Sequence, residues 1–160
     1  MKSAHLRLEQ AVSQQQRGVA AIEFALVFSV LFLGIYGLVT FGGVLYVQQV
    51  VSRAAEDGAR AAQLSRSDEI EANARTAIYR SLALSMITPA SAGTTPSLRE
   101  IWLRAHMASP DVLLPPGEVE VKVTVTYPYR ANPLLPPLPF TWSWMPNSLL
   151  GKATATRSSS

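Results

Sequence analysis

One uninterrupted apolar run constrains this chain more than any other feature. After Glu23 the sequence reads FALVFSVLFLGIYGLVTFGGVLYVQQVVS, and the next charge is Arg53. From Phe24 to Val47 the polar members are Ser29, Thr40, Tyr36 and Tyr46. As a helix rising about 1.5 Å per residue, this run is roughly 36 Å long, enough to cross a hydrocarbon core of about 30 Å with some tilt. Tyr46 stands where an interfacial aromatic belongs. The rival reading is a secretory signal, whose apolar region is about 7–15 residues and ends at a small-x-small cleavage site. This run is longer, and Gln48, Gln49, Val50 and Val51 follow it with no such site. The expectation is an uncleaved membrane helix.

Lysine and arginine placement orients that helix. Lys2, Arg7 and Arg17 precede it with only Glu9 against them, which keeps the N-terminus in the cytoplasm. Arg53, Glu56, Asp57 and Arg60 roughly balance on the other side. The rest of the chain then faces the far side, the periplasm in a bacterium. The net charge of +3 over 160 residues is too small to imply nucleic acid by itself. No cysteine is present, which excludes a disulfide framework, a thiol nucleophile and a cysteine-based zinc site. The mean hydropathy of +0.16 argues against disorder.

Ahead of the apolar run stands QQQRGVAAIEFALVF. A carboxylate costs about 2.5–3.5 kcal/mol at mid-membrane and less near the interface. Taken alone, Glu23 reads as a hydrated interfacial residue. In context the apolar face already begins at Val19 and Ile22, and a glycine after a basic residue leads through small residues into Glu-Phe.

Arg17, Gly18, Val19, Ala20, Ala21, Ile22, Glu23 and Phe24, with the apolar helix behind them, resemble the type IVb pilin and pseudopilin class. More closely, the chain resembles the TadE-like minor pseudopilins of bacterial tight-adherence (Tad/Flp) pilus systems. Ala54-Ala55-Glu56-Asp57-Gly58-Ala59-Arg60-Ala61 is similar to the family's segment just past the membrane. Val119 to Tyr129 and Ala153-Thr154-Ala155-Thr156 are similar to its terminal strands. The likeness covers residues 17–66 well and 117–157 loosely.

The resemblance implies cleavage by a prepilin peptidase between Gly18 and Val19, with Arg17, Glu23 and Phe24 completing the motif. It implies a cleavable leader over 1–18, a transmembrane helix over 19–47 and a periplasmic α+β module over 48–160. The amine freed at Val19 and the Glu23 carboxylate would then neutralise one another within or between subunits, offsetting desolvation. The implied role is assembly of Flp/type IVb pili in adhesion and biofilm formation. The implied partners are the peptidase, TadF/TadG-like pseudopilins, the Flp major pilin, the inner-membrane assembly platform and membrane lipid. No cofactor is implied. Location would be the inner membrane, single-pass, with entry into the pilus left open.

Past the membrane the helical pattern continues from Gln48 to about Leu64, with Glu56 and Arg60 spaced for an i,i+4 ion pair. Gly58 weakens that helix unless close packing or a bend requires it. A second helix is predicted from Ser67 as N-cap, with Asp68, Glu69 and Glu71 in its first turn. Its apolar stripe is Ile70, Ala74, Ala77, Ile78, Leu82 and Leu84, with Arg75 and Arg80 outside. Pro89 to Pro96 reads as a loop, and Ser97 to Met107 as a short helix with Leu98, Ile101, Trp102 and Ala105 on one side. His106 reads as a surface residue of that helix.

Gly117 to Tyr127 is the clearest strand: Val119, Val121, Val123, Val125 and Tyr127 alternate with Glu118, Glu120, Lys122, Thr124 and Thr126. Its predicted antiparallel partner is Leu149 to Arg157, so the fold class is α+β. Prolines from Pro133 to Pro146 exclude regular structure between the strands and leave Tyr129, Phe140, Trp142 and Trp144 exposed to whatever packs there. That loop suits contact with partner subunits or the outer leaflet; simple packing over the sheet is the alternative. Gly58, Arg60, Trp142 and Trp144 are the candidates for subunit contact. Only Arg130 and Lys152 are near the aromatics, too few to bind nucleic acid.

No catalytic constellation stands out. No histidine-acid pair accompanies the serines, and Gly42-Gly43 lies inside the apolar run, so it is no phosphate loop. Asp68-Glu69 and Glu118/Glu120 read as cap and surface charges. The expectation is a non-enzymatic structural protein. The competing class is a single-pass periplasmic binding or sensor module.

Overall fold

The computed structural model describes residues 2–115, 119–136 and 144–157, with side chains from Gly18 onward. Helix α1 (Lys2–Leu64) is followed by α2 (Ile70–Leu84), a single 3-10 turn (Ala90–Ala92), α3 (Pro96–His106), and strands β1 (Asp111–Leu113), β2 (Glu120–Tyr127) and β3 (Leu149–Thr156). The chain divides into two units, Met1–Phe41 and Gly42–Ser160. The expected α+β class holds.

In the first unit every described apolar side chain except the half-buried Tyr36 is exposed. Two of its hydroxyls bond back to the helix's own carbonyls, as a lipid-facing helix would require. Ser29 Oγ donates to Ala25 O at 2.7 Å and Thr40 Oγ1 to Tyr36 O at 2.8 Å. Among the described residues one helix, Gly18–Leu64, is long and apolar enough to cross a membrane.

The second unit is built on one stripe of α1. Val47, Val51, Ala54, Ala55, Ala59 and Ala62 are buried and recur at helical spacing. Alanine and glycine dominate the stripe, so backbones approach closely. Gly58 meets Ile78 of α2: a Cβ on Gly58 would lie 2.5 Å from Ile78 Cγ1. Gly151 of β3 meets the Val51 carbonyl, leaving no room for a side chain. Thus Gly58 serves packing within the chain.

Cross-element contacts give the directions. Leu150 O accepts from Gln48 Nε2 at 2.9 Å, and Arg157 Nη2 donates to Ser65 O at 3.1 Å. The two intervals match in length, about 25 Å along α1 and about 23 Å along β3, so β3 runs parallel to α1. Helix α2 runs the other way: Asn73 Nδ2 donates to Ser65 Oγ at 2.9 Å, and Ser81 Oγ donates to Asp57 Oδ2 at 2.7 Å.

The sheet order is β1-β2-β3, antiparallel throughout. Glu120 opposes Thr156 and Tyr127 opposes Leu149. Val121, Val123, Val125 and Tyr127 bury one face, as the alternation requires. Val119 is exposed and precedes the strand. Gly117 and Glu118 lie outside the described residues.

Several expectations change. The third strand, β1, carries no alternation of its own; its short DVL is recruited by pairing with β2. Helix α2 begins at Ile70 with Glu69 at the N-cap and no side-chain cap, because Ser67-Asp68-Glu69 form a turn in which Glu69 N–H donates to Arg66 O at 3.1 Å. Leu84 lies at the end of α2 and is exposed, whereas Tyr79 and Ala83 are buried. On α3 the buried residue is Leu103, while Leu98, Ile101 and Ala105 face outward. That helix is placed by what it packs on: Arg104 lies 4.4 Å over the Tyr79 ring, and Arg99 Nε donates to Gly93 O at 3.3 Å. Its start follows local rules, with Thr95 Oγ1 accepting from Leu98 N–H at 3.5 Å and Pro96 in the first turn.

Candidate functional site

Gly18 through Phe24 lie on α1, and all are exposed. Nothing stands within 4 Å of where a Cβ on Gly18 would be. No packing among the described residues therefore demands glycine there. The physical consequence of Gly18 is local: glycine costs an exposed helix interior about 1 kcal/mol relative to alanine, easing the unwinding of the Gly18–Val19 peptide. The Arg17 side chain lies outside the described set. Glu23 has no ion-pair partner among the described residues.

Past Glu23, Phe24, Phe28, Phe32 and Tyr36 form a ladder along one edge of α1. Their ring centroids are separated by 6.0, 6.3 and 6.1 Å. The i,i+4 spacing produces the ladder without any tertiary contact.

Beyond the stripe that carries the core, α1 presents Gln49, Arg53, Glu56 and Arg60 to solvent. Together with Gln48, Ser52 and Asp57 they line a shallow polar concavity. The expected Glu56–Arg60 ion pair is not formed; the i,i+4 pairs among the described residues are Glu71–Arg75 at 2.5 Å and Glu100–Arg104 at 2.6 Å. An exposed i,i+4 pair gains only a few tenths of a kcal/mol, so its presence or absence changes stability little. A neighbouring groove between α1 and α2 is lined by Val50, Arg53, Arg80 and Leu84.

Of the candidate contact residues, Arg60 and Trp144 are exposed, Gly58 is buried under Ile78, and Trp142 and Phe140 lie outside the described residues. Tyr129 departs from expectation. It is 1% exposed, packed inside the unit near Gly43, because the turn after β2 folds it back onto α1. Tyr127 donates its hydroxyl proton to Ile87 O at 2.8 Å. Burial, then the neighbouring Tyr129, pushes the Tyr127 phenol up to about 12. Burial also raises Tyr129, opposed by a hydrogen bond with the Leu134 backbone. Tyr127 stands on the buried face that the alternation predicts; Tyr129 was missed as core because its proline-rich surroundings read as surface.

His106 is exposed on α3, stacked on Trp102 with centroids 4.4 Å apart, and its Nδ1 lies 2.9 Å from Trp102 O. Among the described residues no group of three or more histidines, aspartates and glutamates is placed to hold a metal.

The geometry thus concentrates on α1: an exposed glycine-to-glutamate junction, an exposed apolar span, and a small-residue stripe ending near Leu64. Comparison with known proteins selects the same stretch. The family model described as TadE-like protein matches residues 18–60. No curated protein and no solved structure matches the chain. From Gly18 to Arg60, the chain is similar to the TadE-like family.

Proposed function

We propose that this chain is a minor pseudopilin of a Tad pilus system, cut by a prepilin peptidase between Gly18 and Val19. The observation that carries this reading is the junction itself. Gly18, Val19 and Glu23 are exposed in the helix that also holds the apolar span, and the TadE-like match begins at Gly18. Residues 1–18 form the leader and hold Lys2, Arg7 and Arg17, which keep the N-terminus cytoplasmic until cleavage. Residues 19–47 cross the inner membrane, and 48–160 form the periplasmic module.

After cleavage the new amine of Val19 lies about one helical turn from Glu23, within reach of it or of the same group in a neighbouring copy. Pairing offsets the cost of carrying a carboxylate into the bilayer. The helix then packs beside pilins and other pseudopilins at the assembly platform, contributing to Flp pilus formation and adhesion without catalysing a reaction. Mass and N-terminal sequence of the protein recovered from bacterial membranes test this. A mature chain starting at Val19, lost when the peptidase gene is deleted, supports it. A chain starting at Met1 in a peptidase-competent host overturns it in favour of a membrane-anchored binding or sensor module.

A further inference from the structure

We propose that the end of the second unit next to Gly43 is a lipid-contacting surface, with Leu84, Met86, Leu134 and Trp144 seated in the interfacial region of the bilayer leaflet from which the module emerges. This rests on the reading that α1 crosses the membrane.

The placement follows from directions already established. Because β3 runs parallel to α1 and β2 antiparallel to it, Tyr127 and Leu149 lie at the end where α1 enters the unit. The connection between β2 and β3 therefore emerges at that end. It reaches α1 inside the apolar run: from a Cβ placed on Gly43, Leu134 Cδ2 would be 3.7 Å, the Tyr129 hydroxyl 3.9 Å and Leu135 Cδ1 4.0 Å away. Helix α2, running opposite to α1, delivers its last residues to the same end. Leu84 lines the groove beside Val50, and the next segment is held there by the Tyr127 hydroxyl on Ile87 O.

Both chain segments leave apolar side chains uncovered at this end. Leu84 is 65% exposed, Met86 73%, Leu134 37% and Trp144 87%. Trp144 is tied to the same connection, since Arg130 Nη2 donates to Met145 O at 2.8 Å and Arg130 N–H to Asn147 O at 3.2 Å. Exposed leucine, methionine and tryptophan are unfavourable in water and suit a membrane interface, where an amphipathic indole is enriched.

The depth agrees. Val19 to Gly42 spans about 36 Å as helix, somewhat more than a hydrocarbon core of about 30 Å. Protein begins to cover α1 at Gly43 and Val47, both buried. The residues that cover it are thus at the level of the lipid headgroups. Continuity with the span selects the bilayer, rather than a protein partner, as occupant.

The chain has no cysteine, so single labels are unambiguous. Full-length protein in lipid nanodiscs would carry one nitroxide at L84C, M86C, L134C or W144C. L33C is the control inside the span and S67C the control at the opposite end of the unit. Collision with oxygen, which concentrates in lipid, is compared with collision with a water-soluble nickel chelate. The expected result is lipid-like or interfacial values at 84, 86, 134 and 144, strongly lipid-like at 33 and water-like at 67. Water-like values at all four with a lipid-like value at 33 overturn this inference and leave the membrane reading standing. A water-like value at 33 overturns the membrane reading itself. Protection from both reagents that grows with protein per disc assigns the surface to a second copy and overturns lipid as its occupant.

Discussion

Gly58 of α1 and Ile78 of α2 approach so closely that a single added methyl at position 58 would stand 2.5 Å from Ile78 Cγ1 and 2.7 Å from its Cδ1. Two opposing effects therefore meet in Gly58→Ala. Helix propensity favours alanine by about 1 kcal/mol, while overpacking a filled core costs about 1–3 kcal/mol. The Ala74 carbonyl at 3.4 Å limits retreat. The expected outcome is net destabilisation of about 1 kcal/mol, measured by denaturant unfolding of the detergent-solubilised chain. Ile78→Ala is destabilising alone, yet adding Gly58→Ala to it should cost nothing further, because the methyl then enters vacated space.

Gly151→Ala should be worse than Gly58→Ala. The obstacle at position 151 is the Val51 carbonyl and the Ser52 Cα at 3.0 Å, which are backbone and cannot rotate away. Accommodating the methyl requires β3 to move off α1. We expect a loss of about 2–3 kcal/mol, the upper part of the overpacking range, in the same unfolding measurement. Hydrogen exchange should also rise at Leu150 and Lys152 relative to wild type. A variant as stable as wild type would contradict the close approach.

Alkaline pH should weaken the second unit through Tyr127. Its phenol ionises near 10 unfolded and near 12 folded. A folded value above the unfolded one means that the stabilisation is complete below about pH 10 and is lost as pH rises toward 12. Tyr127→Phe removes its own part of that decline, while Tyr129, also raised by burial, keeps its part. The variant also leaves Ile87 O without its donor, at about 1–3 kcal/mol. Unfolding midpoints from pH 8 to 12 should therefore show a lower but flatter profile for the variant than for wild type.

At the junction, Gly18 and Glu23 should separate by readout. Gly18→Trp is expected to abolish the mature chain that begins at Val19, and the module should unfold at its normal midpoint, because no described residue packs on Gly18. Glu23→Gln is expected to leave cleavage intact and reduce surface pili, since it removes the carboxylate that would pair with the new amine. Mass spectrometry of membrane fractions and pilus counts by electron microscopy read the two effects. Equal pilus numbers in wild type and Glu23→Gln would remove the charge-pairing role.

Local rules were sufficient wherever a pattern is self-contained. The apolar run with no charge before Arg53 and the alternation of Val121, Val123 and Val125 are each legible from residues adjacent in sequence. Period and length alone specify a helix long and apolar enough to span a membrane and a half-buried strand. For the same reason the helical continuation to Leu64 and the pairing of β2 with Leu149 to Thr156 were readable. Tertiary structure decided what depends on a partner remote in sequence. Asp111–Leu113 becomes a strand only because β2 offers it a free edge. Leu98 and Ile101 look like a core stripe, but α3 turns Leu103 inward instead. Gly58 and Gly151 were ambiguous as letters, since a glycine records room that is missing without naming what fills it. Tyr129, placed among prolines, read as surface until the turn after β2 brought it under α1 near Gly43. Periodicity reports which face of an element is apolar; which element comes to cover that face is a long-range packing decision that no local pattern encodes.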